Sequence, residues 1–122
     1  MQNLWNLLCA CLLLLAISAF TADAHAYLVD ASPSVGSVVA KSPPEIALTF
    51  SETIESAFSQ LEVQDEAGSR VDKEDKHVDA TNPHTLRASL KLLSPGRYHV
   101  TWRVISVDSH TTNGDFAFQV SP

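Results

Sequence analysis

Three residues in this 122-residue chain have the types and the placement to hold one metal ion: His25, Asp108 and His110. Asp108 and His110 are two positions apart, and residues so spaced on extended chain project to the same side. They lie where one β-rich stretch gives way to another, so a carboxylate and an imidazole are expected to converge there. His25 joins them on one condition, that the chain is cut so as to begin with it. A histidine at a free N-terminus offers its α-amine and its ring Nδ1, which together close a six-membered chelate ring. His110 would add a third nitrogen and Asp108 an oxygen. Three nitrogens in a plane with a weaker oxygen match the tetragonal preference of Cu(II), whereas zinc favours a tetrahedral set. The amine must lose a proton on binding, so such a site weakens as pH falls.

The start of the chain supplies that condition. Residues 4–20 are almost wholly apolar and read as the h-region of a secretory signal. The run is shorter than the roughly 20 apolar residues that a membrane helix needs, although no Lys or Arg precedes it and an uncleaved anchor is the alternative. Ala22-Asp23-Ala24 has the small-x-small form of a cleavage site, and so does Ala24-His25-Ala26. Cutting after Ala24 makes residues 1–24 the signal and residues 25–122 a single domain. Cutting after Ala26 removes His25, and the pattern alone allows both. Cys9 and Cys11, the two cysteines, fall in the signal, and Met1 is the one methionine. The expected mature chain therefore has no disulfide, thiolate or thioether ligand, which leaves imidazole as its softest donor. The formal net charge of −6 becomes −5 without Asp23. An acidic domain argues against a nucleic-acid partner and suits a cationic one.

The elements that must position these residues are short and β-like. Residues 25–30 and 38–39 are candidate strands, with Tyr27 and Val29 on one side of the first, and Ser32-Pro33-Ser34-Val35-Gly36 is turn chemistry between them. Ile46, Leu48 and Phe50 alternate with Glu45, Ala47 and Thr49. Residues 56–63 are ambiguous between a helical turn and a strand, with a strand over residues 59–64 preferred. Residues 69–83 read as a polar loop with a weak edge strand near residues 76–78. Leu86, Ala88 and Leu90 alternate again. Ser94-Pro95-Gly96 turns the chain into residues 97–107, and residues 114–120 follow. About seven short strands without a long helix predict an all-β, antiparallel Greek-key barrel or sandwich of immunoglobulin-like size.

In combination these motifs resemble the CopC (also PcoC) family of small periplasmic copper-binding proteins. The resemblance is carried by His25-Ala26-Tyr27-Leu28, Ser32-Pro33-Ser34-Val35-Gly36, Leu48-Thr49-Phe50-Ser51-Glu52, and Tyr98-His99-Val100-Thr101-Trp102-Arg103-Val104-Ile105-Ser106 running into Asp108-Ser109-His110 and Gly114. It implies a cupredoxin-like, seven-stranded Greek-key barrel, cleavage after Ala24, and Cu(II) held by His25, Asp108 and His110. Glu52 matches a glutamate near the family's copper site and enters as an outer ligand only. The chain is then expected to be a monomeric periplasmic carrier or buffer of copper with no chemistry of its own, and the resemblance implies an inner-membrane transporter of the CopD type as its partner. One departure stands out. Some members carry a Met-rich Cu(I) segment, and the corresponding residues 61–78 contain no Met.

Two other classes compete. An N-terminal His with a second His is also the copper brace of lytic polysaccharide monooxygenases, but those enzymes are larger and present a broad substrate face. An expected mature chain of 98 residues, with Trp102 as the one tryptophan left after signal removal, offers little polysaccharide platform. A metal-free sandwich used for protein contact is the third class. There Asp108 would cap backbone amides, Glu52 would be a solvated carboxylate, and His110 would be a surface residue. His77, His84 and His99 are expected to be structural or superficial, and Phe50, Trp102, Phe116 and Phe118 to be core. The run Asp72-Lys73-Glu74-Asp75-Lys76 is expected to be a solvated loop.

Overall fold

Alternating apolar residues give each strand one face that must leave water, and two sheets meet on those faces. The computed structural model describes residues 26–122. The strands are β1 (Leu28–Ser32), β2 (Val38–Val39), β3 (Glu45–Phe50), β4 (Gln60–Gln64), β5 (His77–Asp79), β6 (Asn82–Ser89), β7 (Gly96–Ile105) and β8 (Thr111–Val120). A single 3₁₀ turn, Ser56–Phe58, precedes β4. One sheet has the order β1-β3-β6-β5 and the other β2-β8-β7-β4. Ile46, Leu48, Phe50, Leu86 and Ala88 of the first sheet are buried, as are Leu61, Val63, Tyr98, Val100, Val104, Phe116 and Phe118 of the second.

The expected all-β sandwich is therefore present, with differences in detail. Among the described residues eight strands form rather than about seven, and β2 pairs with β8 in parallel while the other pairs are antiparallel. The ambiguous residues 56–63 divide into the 3₁₀ turn and β4. The strand expected over residues 97–107 ends at Ile105, where pairing with β8 ends. Asn82 and Pro83, read as loop, open β6. Proline has no N–H to give a ladder, but it can accept, and the Pro83 carbonyl takes a 3.1 Å bond from the Ile54 amide.

Two contacts set the shape. Trp102 pairs with Gly114 across the β7–β8 hairpin. A Cβ at position 114 would lie 2.5 Å from Trp102 Cζ2, so a side chain there would displace the ring. The indole meets Phe50 edge-on, with ring centroids 5.0 Å apart, and so ties the two sheets together. The second contact protects an edge. β4 is the last strand of its sheet, and its outer side is covered by residues 69–74. Val71 N–H donates to the Val63 carbonyl at 2.8 Å. Val63 N–H donates to Asp72 Oδ1 at 2.9 Å. An edge strand covered in this way cannot recruit another chain.

Asp72 corrects the expectation of a solvated 72–76 loop. It is only 2% exposed, because the β4 edge needs an acceptor that the neighbouring backbone does not provide. Arg70 Nε donates to it at 2.9 Å and the Glu74 amide at 3.1 Å. Burial pushes the Asp72 carboxyl up, but the Arg70 bond and the two amides outweigh it and hold the group below its usual range. A depressed folded-state pKa adds stability above the unfolded value, and that stability is lost as pH falls from about 4 downward. Asp72→Ala should cost about 2–3 kcal/mol, because it leaves the Val63 amide unpaired. Urea unfolding checks this. The wild type should lose its advantage over the variant as the pH drops below about 4.

Candidate metal centre

The β7–β8 ladder runs from Gly96 opposite Val120 to Ile105 opposite Thr111. Residues 106–110 must therefore make the reversal. Ser106 N–H donates to the His110 carbonyl at 3.0 Å, and Ser109 N–H donates to the Ser106 carbonyl at 2.9 Å. Ser109 takes the left-handed conformation at φ 73°, which closes the turn. Asp108 and His110 do meet, with His110 Nδ1 and Asp108 Oδ2 3.1 Å apart. The cause differs from the one expected. The two side chains converge through a tight loop, not through alternation on extended chain.

That loop is anchored from both sides. Val107 N–H donates to the Thr53 carbonyl at 3.1 Å, and Glu55 N–H to the Ile105 carbonyl at 2.9 Å. Residues 51–59, the crossing from one sheet to the other, thus brace its flank. Inside, the Ser106 hydroxyl donates a short hydrogen bond to Asp108 Oδ1. This bond is the main reason that the Asp108 carboxyl sits below its ordinary range, with the His110 ring adding to it. Asp108 is accordingly ionised at neutral pH and accepts from both partners.

The first described residues arrive at the same end. Ala26 is fully buried. Thr112, two positions after His110, donates its hydroxyl to the Ala26 carbonyl at 2.5 Å. Tyr27 and Ser51 are joined twice, Tyr27 N–H to Ser51 Oγ at 3.0 Å and Ser51 N–H to the Tyr27 carbonyl at 2.9 Å. His25 itself lies outside the described residues. Glu52 is exposed, between Ser51, which binds Tyr27, and Thr53, which binds Val107. It borders the loop, but among the described residues no three His, Cys, Asp or Glu side chains gather as one metal-holding group. The described part of the site is the Asp108–His110 pair.

The other histidines make separate contacts. His77 Nδ1 is 3.0 Å from the Asp75 carbonyl, and the His84 amide donates to Asn82 Oδ1. His99 Nε2 lies 2.7 Å from Asp115 Oδ2 on the outer face of β7 and β8. His77 and His99 are exposed and His84 is half-buried. Reasoning from the sequence missed Ser106 and Thr112. A hydroxyl beside a candidate ligand is too common to single out before the register is known.

The model of the CopC domain matches residues 28–121. The chain belongs to the CopC family. Copper resistance protein C of Pseudomonas syringae pv. tomato is 32% identical over 105 residues, covering 81% of this chain and 82% of that protein. Copper transport protein CutJ of Bacillus subtilis is 30% identical over 120 residues, which cover 98% of this chain but only 22% of CutJ. Among solved structures, CopC from Methylosinus trichosporium OB3b superposes with a TM-score of 0.75 at 38% identity, over 80% of this chain and 95% of that one. PcoC, described as a methionine-rich copper resistance protein from Escherichia coli, gives 0.70 at 30% identity, over 80% of this chain and all of PcoC. The family expected from the motifs is thus the family found.

Thr112→Val keeps the shape of residue 112 and removes the hydroxyl that holds Ala26. Stability should fall by about 1 kcal/mol. Amide exchange at Tyr27 and Leu28 should accelerate while protection within β7 persists. Hydrogen exchange followed by NMR reads both effects, and unchanged exchange at Tyr27 would show that the hydroxyl does not anchor this segment.

Proposed function

We propose that this chain is exported and that, once cut after Ala24, it holds Cu(II) as cargo through the α-amine and ring of His25, with Asp108 and His110 completing the set. In this reading it carries or buffers copper in the periplasm and catalyses nothing. The observation that carries the proposal is the tie between Thr112 and Ala26. One peptide link separates Ala26 from residue 25, a Cα–Cα step of about 3.8 Å. The residue next to His25 is therefore fixed two positions from His110, at the end of the sandwich where the Asp108–His110 pair stands.

The donor set fits the ion. Three nitrogens with one oxygen suit Cu(II), and the loop already holds Asp108 and His110 together, 3.1 Å apart at Oδ2 and Nδ1. Glu52, at the border of the loop, is assigned an outer role. The Met-rich relative PcoC marks a contrast: Met1 is this chain's one methionine. A thioether Cu(I) site is accordingly not part of the proposal.

The relatives' names favour carriage over catalysis, since they speak of copper resistance and copper transport. CutJ adds a hint about partners. This chain spans 22% of it, so in CutJ a similar segment is joined to much more protein under the name copper transport protein. That supports a separate transporter as the partner here. Family resemblance points to an inner-membrane protein of the CopD type, loaded or unloaded by a monomer of this chain.

An added residue before His25 converts the amine into an amide and opens the chelate. Cu(II) affinity should then fall roughly a hundredfold or more, and the wild-type affinity itself should fall with pH as amine and imidazole take up protons. A Cu(II) titration of the mature chain, followed by quenching of Trp102 fluorescence, checks both. Equal affinity with and without the added residue would remove His25 from the site.

A further inference from the structure

Ser106 directs its polar atoms into the loop that bears the metal pair. It is 1% exposed, so water does not reach it freely. Its amide binds the His110 carbonyl, and its carbonyl accepts from the Ser109 amide. Its hydroxyl donates to Asp108 Oδ1, with the His110 carbonyl oxygen also near, at 3.3 Å. Asp108 Oδ2 in turn faces His110 Nδ1. One buried hydroxyl thus stands behind a carboxylate, and the carboxylate stands beside an imidazole.

We propose that Ser106 is a positioning residue of the metal site, acting through Asp108 on His110. The inference rests on the reading that Asp108 and His110 bind Cu(II). An Asp side chain on an exposed loop turns about two torsions. The Ser106 hydroxyl removes that freedom by claiming one oxygen, which leaves the other aimed at the imidazole. Once aimed, Oδ2 selects the tautomer in which Nδ1 carries the proton of the metal-free ring. Partners that orient ligands in this way typically contribute tenfold to a hundredfold in metal affinity. The hydroxyl is suited to the task because it is buried: when it is removed, water cannot readily take its place behind Oδ1.

The test uses the mature chain and Cu(II) alone, with three variants: His110→Ala, Ser106→Ala and Ser106→Thr. Cu(II) affinity, the electron paramagnetic resonance spectrum of the bound ion and the ¹⁵N shifts of the metal-free His110 ring are read for each. Urea unfolding is run alongside. Ser106→Ala should bind Cu(II) about tenfold to a hundredfold more weakly. It should also broaden or split the resonance spectrum and mix the two His110 tautomers. Ser106→Thr, which keeps the hydroxyl, should return all three to wild-type values. If His110→Ala binds as tightly as wild type, the underlying site assignment is wrong. If His110→Ala fails to bind but Ser106→Ala matches wild type in tautomer and spectrum, the site stands and the positioning role falls. That holds even if Ser106→Ala unfolds at lower urea, because a merely structural role predicts that combination.

Discussion

Ten consecutive cross-strand pairs between β7 and β8 decide where the chain must turn, and the candidate site depends on that turn. The ladder is held in register by its inward residues. Tyr98, Val100, Val104, Phe116 and Phe118 are buried, and a shift by one residue would expose them all. Trp102 over Gly114 adds a steric check on the same register. With the ladder fixed, residues 106–110 are the only ones left to close it. A five-residue reversal with Ser109 in the left-handed region brings Asp108 against His110.

The same end gathers chain from three other parts of the sequence. Residues 26–27 are tied to Ser51 and Thr112, residues 53–55 to the flank of the loop, and Pro83 to Ile54. A loop braced this way should lose little order on binding, which favours a preformed site over one assembled by the ion. Away from this end the chain pairs an imidazole with a carboxylate again, His99 with Asp115, but on the exposed outer face of β7 and β8 and without a bracing loop. Asp72 is spent on covering the β4 edge. The acidic residues of this chain therefore do different work: Asp72 closes an edge, Asp108 faces an imidazole, and most of the others are solvated.

Much of the fold was legible because alternation is a strong signal. Ile46, Leu48 and Phe50, and again Phe116, Phe118 and Val120, announce their strands by period two alone. What failed to show was whatever depends on partners distant in sequence. Asp72 looked like one charge in a charged run, and its burial follows only from the open edge of β4. Pro83 looked like a loop residue, because its use as an acceptor depends on Ile54. The nearness of Asp108 and His110 was foreseen, but for the wrong local reason, since spacing of two serves a turn as well as a strand. Ser106 and Thr112 became visible only once the hairpin register placed their hydroxyls. His25 was read from the chemistry of a free N-terminus and from family resemblance, and it lies outside the described residues.

The central claim is that Cu(II) is held at the end of the sandwich where residues 26–27, 51–53 and 106–112 meet. Paramagnetic broadening tests it most directly. Cu(II) is added in small steps to the ¹⁵N-labelled mature chain, and the amide signals that disappear first are mapped. The account predicts that loss begins at Ala26, Tyr27, Glu52 and residues 106–112, and reaches β5 and the outer face at His99 last. Early loss centred on His77, or on His99 and Asp115, with residues 106–112 untouched, would contradict it.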